Sequence, residues 1–329
     1  MRKRIQPPLI SIFVLVLLIL AILVLTACEL ITPKPEKPTI HALFISLDYE
    51  FLTDDRLHLS GTIRDAKEFN AVMQALSQVM GIDYQETLML QEGDDYLYND
   101  PLFPTHDHIF NKLHDFATSG EIKPNDIFIL YYSGHGVGST YEPTLPERGN
   151  LVIAPENSST TTIQYITVEE IKTALNTIGG TKLLIIDACF SGHFVTEYPL
   201  TNEMRVTLGS GYDANLYYLT AASDTQESFE SNLDGLGEHG YFTYYLLKAL
   251  GWDHSIGSEI KIGKILTQVG GAIRADGVIP VLKNSRILVT DIYNYISKSL
   301  KDRFGIFFNQ TPQTGKGPMD MILFDSTWE

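Results

Sequence analysis

Two cysteines in 329 residues, Cys28 and Cys189, permit at most one disulfide, so this chain is no disulfide-stapled scaffold. Basic residues are also scarce. The 24 Lys and Arg against 40 Asp and Glu give a formal net charge of −16, which argues against a nucleic-acid partner, because such a partner normally needs a basic patch. The same acidity suits a cationic substrate as well as plain solubility. Internal repeats and low-complexity segments are absent, so neither a solenoid nor a biased disordered chain is indicated. What is present is an ordinary globular composition, 44% hydrophobic and 19% charged, long enough to bury a sizeable core in one large domain or one and a half.

The start of the chain is of another kind. Arg2, Lys3 and Arg4 precede an apolar run from Leu9 to Ala27, which ends in Leu25-Thr26-Ala27-Cys28. Residues 1–28 are therefore read as a targeting segment and set aside from the fold. The last four resemble a bacterial lipobox, in which cleavage before the cysteine leaves Cys28 carrying lipid. An uncleaved transmembrane anchor is the other reading, since a run of this length can span a bilayer. Both tether the domain outside the cytoplasm, in a bacterial cell envelope. Residues 29–39, with Pro33, Pro35 and Pro38, read as a short stiff linker. With Cys28 committed to lipid, Cys189 is the leftover thiol.

From residue 40 onward, strand-like and helix-like segments alternate. His41 to Ser46 reads as a strand, and Thr62 to Met80 as a helix with Phe69, Val72, Met73, Leu76 and Val79 on one face and Gly81 as its stop. Leu88 to Leu90 is a short second strand, and Thr105 caps a helix through Ala117. Asp126 to Ser133 and Leu183 to Ile186 are continuous apolar runs, suited to parallel strands buried on both faces. Between them Thr167-Val168-Glu169-Glu170 forms a capping box ahead of a helix ended by Gly179-Gly180. The loop 193–215 leads to an apolar run at Leu216 to Ala222 and a helix at Phe242 to Leu250. Further on the pattern suggests one helix near Glu259 to Ile273 and short apolar runs at Val278 to Leu282 and Met319 to Phe324. The alternation predicts an α/β fold, a mostly parallel central sheet with helices on both faces.

Two strand ends carry chemistry. One apolar run ends in Ser133-Gly134-His135-Gly136, the other in Asp187-Ala188-Cys189-Phe190-Ser191-Gly192. The carboxyl edge of a parallel sheet is where open α/β folds place their ligand sites. An isolated cysteine is more often a small buried hydrophobe than a nucleophile, so its context must carry the claim. A thiol with a reference pKa of about 8.5 needs a base to be nucleophilic at neutral pH, and His135 is the candidate. The amides of Gly136 and Cys189 are candidate donors to an oxyanion. His193 lies close enough in sequence to compete as the base. His106, Asp107 and His108 hint at a metal, but successive residues point to different sides of a helix, so no metal site is expected. Gly235-Leu236-Gly237-Glu238-His239-Gly240 has dinucleotide spacing without the preceding strand and reads as a flexible loop.

These motifs resemble the caspase-like cysteine peptidases, the group that includes caspases, metacaspases and many bacterial relatives. Gly61-Thr62-Ile63-Arg64-Asp65-Ala66, Thr220-Ala221-Ala222-Ser223 and Gly240-Tyr241-Phe242-Thr243 add to the likeness, which covers about Ile40 to Leu250 well and the Gln310-Thr311-Pro312-Gln313 tail more weakly. The resemblance implies a caspase-hemoglobinase fold over 40–325, large-subunit-like at 40–192 and small-subunit-like at 216–325. It implies that Cys189 attacks the peptide carbonyl and His135 protonates the leaving amine, with no carboxylate needed to orient the histidine. Relatives that cut after arginine or lysine line the pocket with acids at two places, and this sequence carries Asp65 and Asp187 there, with Ser133 beside them. The implied partners are polypeptides bearing basic residues. Arg64 keeps open a caspase-like preference for aspartate. Metacaspases often bind calcium through an aspartate cluster, for which this chain offers only Glu197, Glu203 and Asp213; the Glu92-Gly93-Asp94-Asp95 loop lacks EF-hand spacing, and no cofactor is expected. Related enzymes are often cut after the cysteine segment, and Arg205 is the only arginine in that loop. The alternative from a different class is a catalytically silent caspase-like scaffold or binding lipoprotein.

Overall fold

The order of strands in one sheet brings the two motifs together. In the computed structural model, β1 (Ile40–Leu47), β2 (Tyr84–Gln91) and β3 (Ile127–Ser133) are followed by the short strands β4 (Gly136–Val137), β5 (Asn150–Ile153) and β6 (Gln164–Ile166), then by β7 (Thr181–Asp187) and β8 (Leu216–Thr220). The central sheet runs β2-β1-β3-β7-β8 with every pair parallel, and Gln313–Gly315 adds to β8 antiparallel. The structure describes residues 36–94, 97–137, 149–156, 164–195, 215–233, 235, 237–253, 261–262, 267–269, 272–274, 279–315 and 321–328. Lys37–Thr327 make one compact unit that holds all of these elements.

Helices cover both faces of the sheet, as alternation along parallel strands requires. On one face lie α1 (Thr62–Met80), α4 (Tyr241–Ala249) and α5 (Val289–Phe304); on the other lie α2 (His106–Thr118) and α3 (Val168–Thr177). Phe69 of α1 packs between Phe44 of β1 and Tyr131 of β3, with ring centroids 5.7 and 5.1 Å away. Leu43, Ile45 and Leu47 point the other way, into a core shared with Phe128, Leu130, Ile109, Leu113, Ile171 and Leu175. Thr105 caps α2 by accepting the His108 amide, and the Thr167–Glu170 capping box opens α3. The α/β class and the mostly parallel sheet read from the sequence are those observed.

Three elements differ from the sequence reading. β2 spans eight residues rather than three, because every residue from Tyr84 to Gln91 pairs with β1 while Gln85 and Glu86 face solvent and break the apolar pattern. The helix expected near Glu259 to Ile273 is not formed in its described parts: Lys261–Ile262 pairs with Trp252–Asp253, and Thr267–Val269 with Ala272–Arg274. Ile262, Thr267, Val269 and Ile273 are β-branched, and Gly270-Gly271 stands in the sequence between the last two strands, so propensity favours strand and turn over helix. Conversely, α5 was not anticipated, although its buried Val289, Ile292, Ile296 and Leu300 follow helical spacing. Polar neighbours such as Asp291, Lys298 and Asp302 dilute that signal.

Candidate active site

β3 and β7 are adjacent and in register, with Ser133 opposite Asp187, so the turns that follow them emerge side by side. The Gly134 amide donates to the Asp187 carbonyl at 3.2 Å. A Cβ on Gly136 would stand 2.1 Å from the Cys189 carbonyl oxygen, and one on Gly134 would stand 2.5 Å from the Tyr49 hydroxyl. Glycine at 136 allows backbone contact between the two motifs, and glycine at 134 leaves room for Tyr49 and Tyr132. His135 and Cys189 line one cavity of about 120 Å³ together with Asp65, Ser133, Asp187, Ser228 and Glu230. Cavities of about 530 and 580 Å³ lie elsewhere and contain neither His135 nor Cys189, so chemistry rather than size marks this one.

The imidazole is held from two sides. His135 Nε2 lies 2.7 Å from the Leu57 carbonyl oxygen. A carbonyl only accepts, so Nε2 carries the proton and Nδ1 of the neutral ring keeps its lone pair. The Tyr49 ring packs against the imidazole with centroids 4.6 Å apart, and its hydroxyl accepts the His135 amide at 2.8 Å while donating to the Val152 carbonyl at 2.9 Å. Tyr132 Oη, 3.0 Å from the Tyr49 hydroxyl, sits 2.8 Å from the His135 carbonyl. Burial pushes the His135 pKa down. The ring and amide of His135 are thus held by a backbone carbonyl and a tyrosine. The sequence offers no sign of either partner.

The thiol is half-buried beside Ser228, whose amide donates to Cys189 Sγ at 3.3 Å. Burial pushes the thiol pKa up to about 11; the Ser228 backbone bond opposes this, and the charges of Glu227 and Asp187 add to it. Phe190 next to it takes a left-handed φ of 58°, its amide donating to the Gln226 carbonyl at 2.8 Å. Ser191 Oγ accepts the Ala222 amide at 3.2 Å, and Gly192 is pressed against Ser223 and Asp224. The turn bearing Cys189 is therefore locked to the end of β8, where the Thr220-Ala221-Ala222-Ser223 segment lies. Both shifts favour the uncharged forms, a thiol and a neutral imidazole.

The cavity that His135 and Cys189 line is acidic. Asp65 is fully buried, with Oδ1 at 2.6 Å from His239 Nδ1 and Oδ2 accepting the Gly240 amide at 2.9 Å. Asp187 accepts from Ser228 Oγ at 2.8 Å and from the Thr243 amide and hydroxyl at 3.1 and 2.8 Å. Glu230, which the sequence reading missed, accepts the Ser60 and Gly61 amides at 3.0 and 3.1 Å where α1 begins. Burial raises the pKa of all three carboxyl groups, and the Asp187 charge raises Asp65 and Glu230 further. The acids and the helix starts that hold them come from sequence-distant segments: β9 (Glu230–Ser231) pairs with β10 (His239–Gly240), so the supposed loop at 235–240 ends in a buried histidine on Asp65. The signal that would have found Glu230 is its place in the segment following the Thr220–Ser223 strand end.

Arg64 does not line this cavity; its Nε donates to Glu68 at 2.8 Å, one turn along α1. His193 follows Cys189 in a turn from Ser191 to Phe194 and is not among the cavity's lining residues. His106, Asp107 and Glu156 bring ligand atoms within 4.8 Å of one another at the start of α2, where Glu156 already accepts the Asp107 amide. His108 is turned to the Phe103 carbonyl instead. Cys28, Arg205, Glu197, Glu203 and Asp213 lie outside the described residues.

A family profile for the Caspase domain matches residues 39–304. The chain belongs to the caspase-domain family. Members of this family are cysteine peptidases, and the parallel sheet with helices on both faces is their fold class. Among solved structures, protein GSU0716 from Geobacter sulfurreducens is 16% identical, with 88% of this chain and 99% of that chain covered and a TM-score of 0.48. Caspase-1 from Spodoptera frugiperda is 11% identical, with 90% of this chain and 94% of that chain covered and the same TM-score, 0.48. No curated protein matches the sequence.

A neutral thiol has a measurable consequence. Alkylation of Cys189 by iodoacetamide is expected to rise roughly tenfold per pH unit from neutrality toward the thiol pKa, following the thiolate fraction. A rate already level below pH 6, as a preformed ion pair gives, would contradict this electrostatic description.

Proposed function

We propose that this caspase-family protein is a membrane-tethered cysteine endopeptidase that cleaves after arginine or lysine. The observation that carries the specificity is that, among the described residues, the cavity of Cys189 and His135 is lined by three carboxyl groups and by no lysine or arginine. Each carboxyl is held by donors, yet each has a raised pKa, so ionising all three together is opposed by burial and by their mutual repulsion. A guanidinium or ammonium entering there relieves that repulsion and makes charge-assisted hydrogen bonds, whereas an aspartate side chain adds to it.

In the mechanism, Cys189 Sγ attacks the scissile carbonyl as its proton passes to Nδ1 of His135. The amides of Gly136 and Cys189 donate to the oxyanion. His135, held through Nε2 on Leu57, returns the proton to the leaving amine, and water then hydrolyses the thioester. With purified protein lacking residues 1–28, Cys189→Ala should abolish hydrolysis of arginyl peptides and His135→Ala should slow it by a factor on the order of 10² or more. Asp187→Asn should raise KM for arginyl substrates and leave the thiol alkylatable. Arg205 is the point where such an enzyme would cut its own chain, so Cys189→Ala should also stay whole. Cleavage after aspartate in a peptide library would refute the specificity.

Tyr49 serves here as a positioning residue. Tyr49→Phe keeps the ring on the imidazole and removes the hydroxyl that holds the His135 amide. We expect kcat to fall about tenfold, the scale of one lost hydrogen bond to a buried group, with KM nearly unchanged. An unchanged kcat would dismiss the role.

The tether is proposed from the leader alone; among the described residues no helix is long and apolar enough to cross a membrane. If Cys28 carries lipid, Cys28→Ser should accumulate a precursor of higher peptide mass in the membrane fraction. Mass spectrometry showing an uncleaved, unlipidated leader in the native protein would favour a plain anchor.

A further inference from the structure

Ser228 touches both halves of the site. Its amide donates to Cys189 Sγ at 3.3 Å, its carbonyl oxygen lies 3.7 Å from the same sulfur in position to accept the thiol hydrogen, and its hydroxyl donates to Asp187 Oδ1 at 2.8 Å. The hydroxyl direction is enforced from behind. Gln310 Nε2 donates to Ser228 Oγ at 3.1 Å and to the Ala221 carbonyl at 3.3 Å, while its Oε1 accepts the Phe229 amide at 3.1 Å. An oxygen that receives a bond from Gln310 turns its own proton to Asp187.

We propose that Ser228 is a positioning residue that couples occupancy of the acidic pocket to the nucleophile, so that a cationic side chain seated on Asp187 makes Cys189 react faster than in the empty enzyme. This rests on the reading of the pocket as a site for arginine or lysine. In the substrate-free site burial and then the charges of Glu227 and Asp187 disfavour negative charge on sulfur, and the Ser228 carbonyl is placed to accept the thiol hydrogen. A guanidinium arriving at Asp187 Oδ1 neutralises the charge there and competes for the atom on which the Ser228 hydroxyl rests. Released from Asp187, Ser228 can close its amide on the sulfur as charge develops there, and the thiol proton passes to His135 Nδ1. Substrate side chain and nucleophile are thereby linked through one residue.

The test uses ethylguanidinium, which fills a pocket for an arginine side chain without occupying the scissile position, and iodoacetamide, a small neutral electrophile that reports Cys189. In the wild-type protein saturating ethylguanidinium should accelerate alkylation on the order of tenfold, as cancelling a neighbouring charge does, and in Ser228→Ala the acceleration should fall below about twofold. Ser228→Thr, which keeps the hydroxyl and the amide, should restore it. Binding is read separately, as the rise in melting temperature of each protein with ethylguanidinium. Binding without acceleration in the wild type, or equal acceleration in Ser228→Ala, would overturn the coupling and leave the basic pocket standing; no binding at all would overturn both. A measurement independent of any variant compares an arginyl substrate with its citrulline analogue, a neutral isostere. The coupling requires kcat, and not KM alone, to fall for citrulline, and an equal kcat would count against it.

Discussion

The register between β3 and β7 is the constraint on which the site depends. Parallel pairing places Ser133 opposite Asp187, and the chain then leaves both strands at the same edge, so the turns bearing His135 and Cys189 open into one cavity. A slip of one residue in that pairing would turn one of the two to the opposite face of the sheet. The glycines of the first motif complete the arrangement by permitting backbone contact at Gly136 that any Cβ would prevent. Burial on both faces, by α1 and α4 on one and α2 and α3 on the other, is what makes the register difficult to shift.

Burial has a second effect, on charge. The site is dry enough that the thiol is pushed to a high pKa, the imidazole to a low one and three carboxyl groups upward. Each shift disfavours the charged form, so the resting site avoids charge wherever it can. Chemistry then depends on what enters. A neutral thiol beside a neutral base is less prone to adventitious oxidation than a standing thiolate, which suits a protein proposed to face an oxidising compartment. The pocket acids remain in place because helix starts and backbone amides hold them: Gly240 on Asp65, Thr243 on Asp187, and Ser60 and Gly61 on Glu230.

Support for the site comes from pieces that are remote in sequence. Leu57 in the β1–α1 connection orients the imidazole, Tyr49 and Tyr132 brace it, and Gln310 near the end of the chain ties the Ser228 segment to Ala221. His239, in what resembles a loose glycine loop, is buried on Asp65 beside Trp252, with ring centroids 5.4 Å apart. This edge of the sheet is thus built from the connections after β1, β3, β7 and β8 together with the segment around Gln310.

The strands β1, β3 and β7 and the caps of α2 and α3 were readable from residue order, because periodicity and capping boxes are local signals, and the two strand-end motifs singled out His135 and Cys189, whereas Asp65 and Asp187 were pointed to only by the family resemblance. The extent of β2, the strands in place of the helix near Glu259 to Ile273, and α5 were not readable from residue order, since pairing and packing override or dilute local pattern there. The third acid, the tyrosine brace, the Leu57 carbonyl and the double role of Ser228 were decided by tertiary structure alone. Their physical basis is long-range placement: a backbone carbonyl has no sequence signature at all, and a serine or glutamate becomes part of a site only when the fold carries it to within hydrogen-bond distance of groups many residues away.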